Sequence, residues 1–177
     1  MNAGLHETLC YYVLILSEPE AGLSRVDRTY YLVQGELYAA GETGQKGLTR
    51  FDSHAFLDGR PSYVTLNGRV EKARRMRART GERIRLLVGN GGVNLASAFH
   101  VIGEIFDVVY PEAAIGSAPL RNVQTTVVPP GGATIVEFTV DVPGTYLAVD
   151  HALARMNKGA WAAIEVTGPP RPDLFAP

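Results

Sequence analysis

Residues 75–88 read RMRARTGERIRLLV, and this stretch decides the fold. Met76, Ala78, Ile84, Leu86 and Val88 occupy even positions, while arginines occupy 75, 77, 79, 83 and 85. A period of two places successive side chains on opposite faces of an extended chain, so the pattern predicts strands with one buried face and one arginine-lined wet face. Gly81-Glu82 interrupts it and predicts a turn between two strands. Working outward, further short β-like segments are separated by Gly and Pro turns. They are 11–16 (YYVLIL), 27–38 (DRTYYLVQGELY), 62–66 (SYVTL, running into Asn67-Gly68), 98–105, 124–128, 134–140, 144–149 and 161–166. Many short strands with turn signals between them predict an all-β sandwich or barrel. Only 52–58 and 152–158 have helical character, and both are short. Residues 41–47 (GETGQKG) and Pro129-Pro130-Gly131-Gly132 read as loops.

Composition narrows the function classes. The chain has 177 residues, 46% of them hydrophobic and 20% charged, with a formal net charge of -1. A chain of that length buries a sizeable core without metal or disulfide staples. The charge balance argues against a dedicated nucleic-acid binder, which carries a basic excess. The run 69–85 is locally arginine-rich, but no aromatic residues interleave its charges, so it reads as the wet face of two strands. The single cysteine, Cys10, excludes an intrachain disulfide. The longest apolar run, 10–16, is too short to span a bilayer. Glycines 89, 91 and 92 belong to a strand-end turn, since neither the lysine nor the helix of a phosphate loop follows.

Several segments in order carry a family resemblance: TYYLVQGELY (29–38), YVTLNG (63–68), GERIRLLVGNGG (81–92), SAFHVIGEIFD (97–107), NVQTTVVPPGG (122–132), EFTVDVPGTYLAVDH (137–151) and NKGAWAAIEVTG (157–168). Together they resemble the C-terminal cupredoxin domain of copper-containing nitrite reductases. The resemblance implies a cupredoxin-like Greek-key β-sandwich over 11–168, with one or two short helices. Residues 1–10 would then be a remnant of an inter-domain seam, and 169–177 a proline-rich tail.

The same resemblance implies a site. His151, in AVDHA, matches the histidine that this domain gives to the type 2 copper, where nitrite becomes nitric oxide. His100, in SAFHVIG, matches the histidine that relays a proton to nitrite, and histidine is the side chain whose ordinary titration spans neutral pH. Ile102 matches the apolar residue shaping the nitrite pocket, and Thr126 the threonine that orients the relay histidine. The remaining copper ligands belong to a first cupredoxin domain of a neighbouring subunit, in a trimer located in the periplasm or cell envelope. His6 falls on the family's last type 1 histidine, but Tyr11 stands where the methionine ligand belongs, and Cys10 is out of ligand order. Blue-copper sites need two histidines and a cysteine with a weak axial ligand, so a self-contained electron carrier is not expected. Besides an enzyme part, two readings stand open: an inactive cupredoxin-fold interaction module, and a stand-alone weak copper binder using His100 and His151. His54, in FDSHAF, has no counterpart in the family and reads as solvated.

Overall fold

A computed structural model describes residues 12–70 and 75–174. Among the described residues, ten strands form two five-stranded sheets. They are β1 (Arg28–Leu37), β2 (Tyr63–Leu66), β3 (Met76–Arg79), β4 (Arg83–Asn90), β5 (Ser97–Ile102), β6 (Val108–Tyr110), β7 (Thr125–Val128), β8 (Ala133–Thr139), β9 (Gly144–Asp150) and β10 (Trp161–Thr167). One sheet has the order β2-β1-β4-β8-β6 and the other β3-β10-β9-β5-β7. From β2 to β9, each strand lies on the opposite sheet from the next. The expected all-β sandwich is therefore present. Gly81-Glu82 is not a hairpin tip, because it carries the chain from one sheet to the other. Asn67-Gly68 does close a tight turn: both residues have positive φ, and Leu66 and Arg69 exchange backbone hydrogen bonds.

The core lies between the sheets. Ile84, Leu86 and Val88 from β4 meet Phe99 and Val101 from β5, Phe138 from β8 and Ile164 from β10. Phe106 stacks on Phe99 and tilts against Phe138. Helix α1 (Ser53–Leu57) starts where Asp52 accepts a hydrogen bond from the Ala55 amide, and a 3-10 helix spans Leu153–Lys158, so both expected helical stretches exist. β6 escaped the sequence pattern because it is three residues long and runs into Pro111.

Two expectations fail. Of the stretch 11–16, Tyr12 to Leu16 is described and pairs with no strand. It lies across the outer face of the first sheet. The Tyr12 hydroxyl bonds the Thr65 hydroxyl at 2.9 Å, and Leu14 packs so closely on Gly89 that a Cβ there would stand 2.5 Å from it. The arginine face is also not uniformly wet. Arg77 and Arg79 are exposed, but Arg85 is only 6% exposed. Arg85 sits directly opposite Glu137 in the β4–β8 register and donates to it through Nε at 2.8 Å. Glu137 is fully buried and also accepts from Arg83 at 2.9 Å and from the Ser24 hydroxyl at 3.0 Å. A buried guanidinium is tolerable because its carboxylate is saturated by charge-assisted bonds. His6, Cys10 and Tyr11 lie outside the described residues.

Candidate functional site

β5 alternates strictly. Phe99 and Val101 point into the core, so His100 and Ile102 point out of the sandwich. β9 runs antiparallel beside it, with His100 opposite Val149 and Phe99 opposite Asp150. The chain leaves β9 at His151, whose backbone N–H donates to the Ala98 carbonyl at 2.8 Å. This places the His100 and His151 rings with centroids 5.1 Å apart and planes at 70°. His100 is half-buried and His151 exposed, so the pair sits on a rim open to solvent.

His100 Nδ1 lies 2.6 Å from the Gln124 carbonyl. A carbonyl only accepts, so Nδ1 carries the proton and Nε2 is the nitrogen left for another partner. Ile102, on the same face two residues along, is 40% exposed. Thr126 does not share that face. It lies opposite Phe99 and is buried, whereas Thr125 lies opposite His100 and is exposed. Residues directly opposite in an antiparallel pair share a face, so by register Thr125 is on the His100 face and Thr126 on the Phe99 face. His54 is exposed on α1, away from these strands.

Sequence reasoning missed what holds the rim. Asp150, immediately before His151, is fully buried, and its carboxylate accepts bonds from Gln34, Arg155 and two backbone amides. The available signal was an acid ending an apolar strand, since a buried carboxylate needs partners. Beyond Ile102 the chain turns through Gly103, at φ +99°, to Glu104. Burial first, then the charges of Asp141 and Asp107, push the Glu104 carboxyl up to about 7. Among the described residues, no group of three or more His, Cys, Asp or Glu stands close enough to hold a metal ion. Among the described residues the rim therefore offers two imidazoles without a third such donor grouped with them.

No family model matches the chain. A copper-containing nitrite reductase of Neisseria meningitidis is 47% identical to it over 176 residues, covering 97% of the chain. The chain belongs to the copper-containing nitrite reductase family. It spans about 45% of that relative's length. Among solved structures, the copper nitrite reductase of Nitrosomonas europaea superposes with a TM-score of 0.71 at 29% identity, over 85% of this chain and 53% of that one. A copper-containing nitrite reductase of Thermus scotoductus also gives a TM-score of 0.71, at 27% identity, over 83% and 32%. The two-sheet sandwich is thus the cupredoxin-like domain of the nitrite reductase family. No described helix is long and apolar enough to cross a membrane.

Proposed function

We propose that this chain is the C-terminal part of a copper-dependent nitrite reductase, contributing one type 2 copper histidine and one proton-holding histidine to a site that other polypeptide completes. The observation that carries the reading is the 5.1 Å approach of the His100 and His151 rings on a solvent-open rim. Imidazole suits copper in either oxidation state. His151 fits one ligand position of such a site, and a catalytic centre usually has three protein ligands. The missing donors would come from a first cupredoxin domain of a neighbouring subunit, within a homotrimer in the periplasm or cell envelope.

Reduction of nitrite to nitric oxide takes one electron and two protons and releases water. Copper, when bound, would hold the anion and pass on the electron. The chain's own residues do the rest. His151 offers an imidazole nitrogen at the exposed rim. His100, its Nδ1–H committed to Gln124, presents Nε2 to hold a proton destined for the substrate oxygen. The Gln124 carbonyl sets that tautomer, and Thr125, opposite the ring, takes the place first given to Thr126. Ile102 supplies an apolar wall that limits how nitrite lies.

The test is a chimera in which this chain replaces the equivalent part of the Neisseria relative. His151→Ala should lose copper by elemental analysis. His100→Ala should keep copper and lose nitric oxide production by about 100-fold or more. Full copper occupancy in His151→Ala would defeat the reading.

A further inference from the structure

The Asp150 carboxylate is saturated, and three of its four partners lie within four residues of one of the two histidines. Oδ1 accepts from the Ala98 amide at 3.2 Å and the Ala152 amide at 3.1 Å. Oδ2 accepts from Gln34 Nε2 at 3.0 Å and Arg155 Nη1 at 2.7 Å. Arg155 Nη1 also donates to the Ala96 carbonyl at 2.6 Å. Gln34, from β1 on the other sheet, accepts in turn from the Ser97 hydroxyl at 2.8 Å. Residues 96, 97 and 98 lead directly into His100, and residues 152 and 155 follow His151.

We infer that Asp150 and Arg155 form a clamp that fixes the His100–His151 geometry, with Arg155 as a positioning residue that touches neither ring. The metal consequence of this clamp rests on the function proposed above. His151 is held from both sides: its own N–H is taken by Ala98, and the next N–H is taken by Asp150. Arg155 closes the ring of contacts by joining the 3-10 helix after His151 to the strand start before His100. Its side chain is partly exposed and is not a member of the hydrophobic core between the sheets. Asp150 would still keep three N–H donors. The loss takes the charged partner from buried Asp150 and lowers stability, but the paired strands remain, while the loop bearing His151 loses its tether to residue 96. Site geometry needs support of this kind, because functional side chains must be held to within about 0.5 Å.

The experiment uses the whole chain with isotope-labelled histidines. In the unaltered protein, NMR should show a nuclear Overhauser contact between the two rings. Arg155→Ala and Arg155→Met should abolish that contact and broaden the His151 resonances, while the amide spectrum of the strands stays in place. Arg155→Met keeps the aliphatic stem, so it guards against a packing effect. Arg155→Lys should restore the contact in part. In the chimera, copper affinity should fall by about 10- to 100-fold in Arg155→Ala, with Arg155→Lys intermediate. An inter-ring contact that survives in both Arg155→Ala and Arg155→Met overturns the clamp. That failure is separate from a failure of the proposed function, which His151→Ala alone decides through its copper content.

Discussion

Replacing Glu104 by glutamine should change how stability depends on pH. Glu104 sits in the turn past β5, where burial and the neighbouring Asp141 and Asp107 raise its carboxyl from 4.5 to about 7. The folded state thus favours the protonated form. Between about pH 4.5 and 7 the native chain holds a proton that the unfolded chain has released, so stability falls as pH rises through that window. For a wholly desolvated group a displacement of this size corresponds to about 3 kcal/mol. Glu104 keeps some contact with water, and screening brings the expected loss to about 1–2 kcal/mol. Glutamine imitates the protonated acid at every pH and also relieves repulsion of Asp107 and Asp141. Urea denaturation of both proteins should therefore give similar stabilities near pH 4. By pH 8 Glu104→Gln should be the more stable by about 1–2 kcal/mol. Titrating groups that do not interact with Glu104 cancel in the difference between the two proteins. A difference that stays constant from pH 4 to pH 8, or one that grows in favour of the unaltered chain, would refute the assignment of a buried, proton-holding Glu104.

Glu137→Gln should lower the melting temperature sharply, at a cost of about 3–5 kcal/mol, because it strips the charge partner from buried Arg85. The double change Arg85→Met with Glu137→Leu should recover most of that loss. Gly159→Ala should cost at least about 1–2 kcal/mol by thermal denaturation. Its φ is +106°, and a Cβ would stand 2.6 Å from the Val70 Cα and 2.9 Å from the Val64 carbonyl oxygen, both backbone atoms. Ile102→Ala should leave stability within about 0.5 kcal/mol, since the side chain is 40% exposed. In the chimera it should lower kcat/KM for nitrite by about 10-fold, and an unchanged value would remove Ile102 from the pocket wall.

The strands were readable where one face is buried and the other wet. In β5 the alternation of Phe99, His100, Val101 and Ile102 already says that His100 points outward. The same logic failed for residues 12–16, where Tyr12 and Leu14 pack on a sheet instead of the segment joining one, and Val13 and Ile15 stay exposed. It failed again for Arg85, where a wet-looking position is covered by Ser24 and neutralised by a carboxylate 52 positions away. The threonine placement turned on register, since a shift of one residue exchanges the two faces of β7.

The sequence by itself determined the all-β class and the turns, because alternation, glycine and proline act locally along the chain, and the family resemblance of its segments marked the two histidines worth watching. The tertiary structure alone decided that positions 100 and 151 share a rim and that Asp150 and Arg155 lock it. It also decided that Thr125, and not Thr126, stands opposite His100 in the β5–β7 register. Those relations depend on strand pairing between distant segments, and pairing is settled only when both sheets close over a common core.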